Sequence, residues 1–174
     1  MHADGMRGDL HTLRKVCSYA SVVMLIGEIA FAILTAASVV LGIWSFFSDD
    51  VRQWFTDLIR CETSDLSLAA GTAEIAVIFI AMFVTVKVIH DIMVSIMNED
   101  SPFMEENPGR FKTVSLTFLI ASVPLAVLEY LNRGDELISV CILLACILIS
   151  VVMYCLTIIF RYGLLLQDES DHTL

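Results

Sequence analysis

The sequence predicts an all-α polytopic membrane protein: four transmembrane helices in an antiparallel bundle, with a short interfacial helix on the outer side. Of its 174 residues, 57% are hydrophobic, and the mean hydropathy is +0.81. A soluble domain of this length cannot bury so large an apolar fraction in one core. The apolar residues also form four long stretches, each near or above the ~20 residues that a helix needs to cross the hydrocarbon layer. Open sheets are excluded there because their edge groups would lie unpaired in lipid.

We predict the four spans at residues 16–47, 66–97, 111–131 and 137–160, within a single domain that covers the whole chain. The first two are longer than one bilayer at ~1.5 Å of rise per residue, so an end of each extends past the hydrocarbon. The first is too long for the apolar core of a signal peptide, and we interpret it as a span. A tight turn over residues 132–136 makes the third and fourth spans antiparallel neighbours.

Between the first two spans, residues 50–60 have the pattern of a short amphipathic helix. Polar and charged residues occupy its other faces. Such a helix is typical of the membrane interface, with its aromatic face towards lipid or the mouth of the bundle. Its apolar residues recur at i, i+3, i+4, i+7 and i+8: Val51, Trp54, Phe55, Leu58 and Ile59.

The distribution of Lys and Arg predicts the orientation of the chain. An even number of spans places both termini on one side, and the side richer in these residues faces the cytoplasm. The termini and the middle loop hold Arg7, Arg14, Lys15, Arg110, Lys112 and Arg161, whereas the other two loops hold Arg52, Arg60 and Arg133. We therefore predict a multi-pass protein of the plasma membrane with both termini in the cytoplasm.

Net charge and cysteine usage narrow the function classes further. The net charge of -10 argues against direct binding of nucleic acid, which needs clustered Lys and Arg. Four of the five cysteines lie in or beside apolar stretches, where we interpret them as small packing residues. Cys61 lies in a hydrophilic loop, and we predict a free thiol, with Cys141 or another chain as the alternative disulfide partner.

Acidic residues within the predicted spans are the first candidates for a ligand or ion site, because a charge at membrane depth is costly. Glu28 lies about 18 Å along the first span at ~1.5 Å per residue, close to the midplane. It is either a proton, cation or ligand-sensing site or a protonated acid hydrogen-bonded to a neighbouring helix. Glu74 and Glu129 lie near the outer ends of their spans. If all three acids face one cavity, they form a funnel suited to a cation or a basic ligand.

Lys87, His90 and Asp91 share one face near the inner end of the second span, where Lys87 can pair with Asp91. They are either a polar cluster that reaches the headgroups or an element that couples this helix to the middle loop. His90 is the sole histidine in a span, so ligation of a haem by two histidines of one chain is excluded.

No enzyme motif occurs in the sequence: there is no HExxH, no GxSxG, no phosphate-binding glycine loop and no CxxC pair. We expect neither catalysis nor a metal site nor a cofactor. Small residues at four-residue spacing, such as Ser38 with Gly42, permit close helix contacts. They are compatible with a homo-oligomer but do not fix its size.

Two segments, SPFMEENPGRFKT at 101–113 and IFRYGLLLQDESDHTL at 159–174, resemble a bacterial family of small four-span membrane proteins called domain of unknown function 2975. The family pattern is matched by Pro102, Phe103, Glu106, Asn107, Arg110, Lys112, Gly163, Leu166, Glu169, Asp171 and Thr173. Met104 and Pro108 depart from its usual hydroxyl and aliphatic residues. The resemblance implies no activity, but it implies a membrane partner for a cytoplasmic helix-turn-helix regulator.

The middle loop and the C-terminal tail are acidic, and we place both in the cytoplasm. They are either a solvated face or a surface for a basic partner, with Glu106, Glu169 and Asp171 as candidate contacts. Asn107, followed by Pro108, is expected to cap the third span. The function we expect is a membrane sensor or a regulatory partner of a cytoplasmic protein. The alternative is a small oligomeric ion channel or transporter with Glu28 on its pathway.

Overall fold

The computed structural model describes residues 2–61, 64–99 and 104–172, and this part of the chain is helical apart from short connections. The hydrophobic stretches and the long runs without glycine or proline favour continuous helices. Five helices follow one another: α1 (His2–Trp44), α2 (Asp49–Ile59), α3 (Asp65–Glu99), α4 (Glu106–Arg133) and α5 (Glu136–His172).

Four of these helices are long and apolar enough to cross a membrane. Their candidate spans are Lys15–Trp44, Asp65–Asn98, Glu106–Arg133 and Glu136–Glu169, with lengths from 28 to 34 residues. A crossing needs ~20 residues. The structure therefore confirms the all-helical class and the four long apolar helices that the sequence predicts.

The helices extend past the predicted spans at several ends, most of all at the start of α1, which begins at His2 instead of the predicted 16. α4 begins at Glu106, five residues before the predicted 111, and α5 continues to His172, well beyond the predicted 160. An apolar stretch ends where charged residues begin. A helix, in contrast, ends only where the backbone adopts another conformation. Leucine, glutamine, glutamate and arginine after residue 160 are all good helix formers, so α5 continues through them.

The long helices pack in the order α1, α3, α4, α5, with α2 lying against α1. The connections between the helices lie in two separate regions. The "α2 end" contains α2, the start of α3 and the 134–135 turn between α4 and α5. The "loop end" contains the last turns of α3 from residue 91 and the start of α4 to residue 110. Large apolar side chains such as Ile26 (62% exposed), Ile120 (72%) and Leu137 (75%) cover the outside of the molecule.

Several hydroxyl groups in the long helices donate hydrogen bonds to backbone carbonyl oxygens within the protein. Thr72 donates to the carbonyl oxygen of Leu68 at 2.8 Å, and Thr85 donates to that of Ala81 at 2.8 Å. Across the contact between α4 and α5, the buried hydroxyl of Ser115 donates to the carbonyl oxygen of Ser150 at 2.9 Å. Such bonds are needed where no water competes for a polar group.

The apolar face of α2 is divided between the protein and its surroundings. Phe55 and Ile59 are buried against Leu68 of α3. Trp54 and Leu58 are 55% and 61% exposed. One half of the apolar stripe therefore holds α2 on the molecule, and the other half is exposed to the surroundings of the protein.

The start of α4 corrects the predicted cap. The residue at the N-cap position is Glu105, whose side chain makes no capping bond, and Asn107 lies inside the helix. Asn107 is fully buried, and its Oδ1 accepts a hydrogen bond from Arg110 at 3.0 Å. The guanidinium thus takes the oxygen that would otherwise cap the helix. Pro108 occupies the first turn, where a missing backbone N–H costs nothing.

Candidate functional site: a buried acid pair

The candidate site lies at the α2 end, where α3 presents a small and polar face to α4. Ser67, Gly71 and Glu74 follow one another on this face at helical spacing. Gly71 makes the close approach feasible: a Cβ atom there would lie 3.1 Å from Oδ1 of Asn132 and 2.9 Å from Cδ1 of Ile59. A larger residue would push α4 and α2 away from the site.

Asn132, in the last turn of α4, connects the polar residues of this face. Its Nδ2 donates to Oε2 of Glu74 at 3.0 Å, and its carbonyl oxygen accepts from the hydroxyl of Ser67 at 2.7 Å. All three side chains are buried. The amide therefore fixes the orientation of the Glu74 carboxyl group.

Glu129 is the second acid of the site, and its side chain is fully buried. Nη1 of Arg133 donates to its Oε1 at 3.0 Å, across one turn of α4. Its Oε2 has no hydrogen-bond partner among the residues that the structure describes. The Glu74 and Glu129 carboxyl groups lie within hydrogen-bonding reach of each other.

Two buried carboxyl groups and one partly exposed guanidinium thus meet at this place. If both acids were ionised, the cluster would hold one uncompensated negative charge and two facing oxygen acceptors, which is unfavourable at low dielectric. A proton between the carboxyl groups removes both problems, as in other buried acid dyads. The arrangement can therefore bind a proton or accept a cationic donor in its place.

Glu28 does not join this pair. Its carboxylate oxygens lie 3.7 Å from Nζ of Lys87 and 3.9 Å from Nδ1 of His90, both on α3. Lys87 follows Glu74 by 13 residues on the same helix, which is ~20 Å at ~1.5 Å per residue. The three predicted acids thus fall into two separate clusters, and the single funnel that they would line together is not formed within this chain.

The predicted coupling residues near the second cluster have a different arrangement from the expected one. Lys87 lies against Glu28 of α1 rather than Asp91, while Nδ1 of His90 is 3.8 Å from Oδ1 of Asp91. Both acids flank the imidazole, so His90 lies in a negative environment. The cluster ties α1 to α3 by charge.

At the loop end, Arg110 connects α3 and α4. Its Nη1 donates to the backbone oxygen of Asp91 at 3.1 Å and to the hydroxyl of Ser95. Its Nη2 donates to Oε2 of Glu106 at 2.7 Å. Glu106 and Asn107, both predicted as partner contacts, thus hold Arg110 in place. We refer to Arg110 with these α3 and α4 partners as the Arg110 junction.

The remaining predicted partner contacts are Pro102, Phe103, Glu169 and Asp171. Pro102 and Phe103 fall outside the described residues. Glu169 is exposed on the last turns of α5. Asp171 also lies on α5, but its side chain is not among those that the structure describes.

Sequence reasoning missed three members of the acid-pair site: Ser67, Asn132 and Arg133. Asn132 and Arg133 were assigned to the turn after the third span, but α4 continues through both and ends at Gly134 with φ of 70°. The four-residue spacing of Glu129 and Arg133 was a usable signal, because such pairs meet on one helix face. No feature of the sequence marks Ser67 as a member of the site.

Cys61 borders the site and is a free thiol, as are the other four cysteines. Burial raises the pKa of the Cys61 thiol, and Ser67, Arg133 and Arg52 only partly offset this effect. Since the thiolate is the reacting form, we expect maleimide labelling of Cys61 to need a higher pH in the folded protein than in the SDS-unfolded chain. The measurement is the pH profile of labelling in a variant with alanine at the other four cysteines. Identical midpoints in both states would contradict it.

Comparison of the chain with known protein families, with curated proteins and with solved structures finds no match. The resemblance drawn from residues 101–113 and 159–174 therefore stays a prediction. The function has to be argued from the geometry.

Proposed function

We propose that this chain is a multi-pass protein of the bacterial plasma membrane that acts as a sensor or regulatory partner of a cytoplasmic protein, and not as an enzyme. In this proposal the four spans are antiparallel, α2 lies in the outer interface, and both termini are cytoplasmic. One observation carries the sensing role: Glu129 is fully buried beside Glu74, with an oxygen that has no partner among the described residues.

The orientation is supported by charge. Lys and Arg are more frequent in the termini and the middle loop than in the other two loops. The exposed Trp54 and Leu58 on α2 suit a helix lying at a membrane surface, because indole rings favour the headgroup region. The acid pair would then lie near the outer surface, within reach of external solutes.

The acid pair suits sensing because it has two states of different geometry. Two buried acids that face each other are unfavourable when both are ionised, so their presence calls for a functional explanation. With a shared proton, the carboxyl groups hold α3 and α4 together. Without it, their repulsion favours a wider separation of the two helices at the α2 end. A change in external pH or the binding of a cation shifts the balance between these states.

The signal would travel along α3 and α4, which run without a break to the Arg110 junction at the other end. A change in the apposition of these helices alters the distances that the Arg110 bonds span. The loop end also carries the exposed acid Glu105, which suits a basic partner. A helix-turn-helix regulator, the partner implied by the resemblance, would fit this charge.

The alternative function, an oligomeric channel or transporter, is favoured by the cluster of Glu28, Lys87 and His90, since ionisable groups at membrane depth often mark ion pathways. Against it, α3 is apolar from residue 75 to 86 except for Thr85, whose hydroxyl is bonded to its own helix. This segment separates the two clusters by ~18 Å. A pathway would therefore need an interface between copies of the chain.

The test is a distance measurement in proteoliposomes. Spin labels at cysteines replacing Asn98 and Lys112 report the loop end in a background that lacks the native cysteines. We expect the distance to change between about pH 5 and about pH 8. The change should be lost in Glu129→Gln but retained in Glu136→Gln, an exposed acid on α5.

The same proteoliposomes separate the two functions. The sensor proposal expects no ion flux, and it expects the pH response to disappear in Arg110→Gln, which loses the Arg110 junction. Ion flux that vanishes in Glu28→Gln, together with a loop-end distance that does not change with pH, would instead establish transport and contradict the sensor proposal.

A further inference from the structure

Two cations near the loop end have no acid partner. Lys112 of α4 and Arg161 of α5 are exposed, and neither makes an ion pair with a residue that the structure describes. Four other basic residues are each paired with a carboxylate: Arg52, Lys87, Arg110 and Arg133. The charges of Lys112 and Arg161 are therefore available to a group outside the chain.

Lys112 and Arg161 lie on the same side of the α4–α5 pair. Each directly follows an aromatic residue of the contact between these helices, where the ring centroids of Phe111 and Phe160 are 4.8 Å apart. The helices are joined by the 134–135 turn and contact each other at several levels, so they run in opposite directions. In such a pair, the residue after each facing residue turns towards the same side, since both helices are right-handed. The two basic side chains thus belong to one face.

The two side chains also lean towards each other. Counted from the hydrogen bond between Ser115 and Ser150, Lys112 lies three residues and Arg161 eleven residues towards the loop end. The difference is ~12 Å along the helices. Side chains on a helix tilt towards its N-terminus, so Lys112 points to the loop end and Arg161 points back from it. Because both side chains are long, their charged ends approach the same level.

Both residues mark the end of the apolar part of their helices. On α4, Lys112 and Arg133 are 21 residues apart, or ~32 Å, and on α5 no charged residue lies between Glu136 and Arg161. The hydrocarbon layer is ~30 Å thick. With Arg133 near one surface of the bilayer, Lys112 therefore lies near the other, at the level of the lipid phosphates. The exposed Tyr162 beside Arg161 suits the same level, because tyrosine favours the headgroup region.

Apolar and acidic residues flank the two cations on opposite sides. The exposed Leu116 and Ile158 lie one turn towards the centre of the bilayer. The acids Glu105 and Asp168 lie two turns towards the water, each seven residues or ~10 Å away. Salt screens charges in water over about this distance, so these acids do little to neutralise the cations. The face thus combines positive charge at the level of the phosphates with an apolar surface at the level of the acyl chains.

We propose that this face of α4 and α5 binds an anionic phospholipid, with the phosphate between Lys112 and Arg161 and an acyl chain along Leu116 and Ile158. Two cations attract a headgroup of net negative charge, whereas the ammonium group of a zwitterionic lipid offsets much of the attraction to its phosphate. In the orientation proposed above, the lipid belongs to the cytoplasmic leaflet. Its binding does not depend on the sensor function.

The test compares lipid adducts by native mass spectrometry of the full-length protein released from detergent micelles. Phosphatidylglycerol and phosphatidylcholine with the same acyl chains are added in turn. We expect phosphatidylglycerol to bind at a concentration about tenfold lower than phosphatidylcholine. This preference should disappear when Lys112→Gln is combined with Arg161→Gln. It should persist when Lys15→Gln is combined with Arg60→Gln, because this control removes two exposed cations from elsewhere on the chain.

A charge-retaining variant and a free anion complete the test. Lys112→Arg should keep the preference, and both double variants should unfold in SDS like the parent, since exposed residues without partners contribute little to stability. Equal binding of the two lipids by the parent, or an unchanged preference in the Lys112 and Arg161 double variant, overturns the proposal. An equal loss of preference in the control also overturns it, because net charge would then be the cause. Displacement of phosphatidylglycerol by an equal concentration of inorganic phosphate would show a site for the free anion instead of a lipid.

Discussion

Replacing Gly42 by alanine is expected to destabilise the protein by about 2–3 kcal/mol, because overpacking at a close helix contact forces the backbones apart. A Cβ atom at Gly42 would lie 2.1 Å from Cγ2 and 2.8 Å from Oγ1 of Thr72 on α3. Thr72 cannot rotate away at no cost, since its hydroxyl donates to the carbonyl oxygen of Leu68 and β-branched side chains are restricted in helices. The measurement is the free energy of unfolding from SDS titration in mixed micelles.

The chain offers a matched control and a rescue for this variant. Gly109 lies in α4, and a Cβ atom there would meet nothing within 4 Å. Gly109→Ala should therefore leave stability unchanged or raise it by up to about 1 kcal/mol, as expected for an open helical position. Thr72→Ala should recover part of the loss in the double variant, because it removes the contacts to Cγ2 and Oγ1 but leaves the 3.0 Å contact to Cβ. Additive losses in the double variant would show that this contact is not the cause.

The four long helices were predictable because their signal is local. A stretch of ~20 apolar residues is visible directly in the hydropathy of the sequence. Whatever its tertiary contacts, such a stretch has to be removed from water. The predicted helix ends were wrong where polar residues continue a helix or lie inside it. Residues 161–172 contain charged and polar residues but are helical, and Asn107 is a good capping residue that lies inside α4. In both places the structure follows helix propensity or a tertiary partner instead of hydropathy.

The candidate site was predictable only residue by residue. Hydropathy singled out Glu28, Glu74 and Glu129, since acids in apolar stretches are conspicuous. Which of them meet depends on the rotation of each helix and on the axial offset between neighbours. The contact of Glu28 with Lys87 and His90 is set by the offset between α1 and α3. The contact of Glu74 with Asn132 is set by the offset between α3 and α4. A single sequence carries no record of either quantity.

Close helix contacts were partly visible beforehand. The spacing of Ser38 and Gly42 suggested one, and the structure places Gly42 against Thr72. Gly71, which lets Asn132 reach Glu74, is equally necessary but stands in a segment where several small residues compete for the same interpretation. Small residues thus indicate that helices approach one another, while the partner emerges only from the packed structure.

Glu129→Gln should raise the stability of the protein by about 1–2 kcal/mol at alkaline pH and flatten its dependence on pH. The amide keeps an oxygen for Arg133 and supplies a permanent N–H donor towards Glu74, which removes the unsatisfied acceptor and the repulsion between two acids. In the parent, the two facing carboxyl groups repel each other when both are ionised, and this repulsion is absent from the unfolded chain. The measurement is SDS-titration unfolding at about pH 5.5 and about pH 8.

Two further variants distinguish this explanation from a general effect of removing a charge. Glu136→Gln removes an exposed acid from the start of α5 and should change stability by no more than about 0.5 kcal/mol at either pH. Glu129→Leu removes the partner of Arg133 and gives Glu74 no donor, so it should destabilise the protein at both pH values. A loss of stability in Glu129→Gln at alkaline pH would mean that the carboxylate itself is required, as for a permanently bound cation. A gain of stability in Glu129→Gln at alkaline pH, together with loss of the pH response at the loop end, would show that the acid pair lowers stability and is needed for the response to protons.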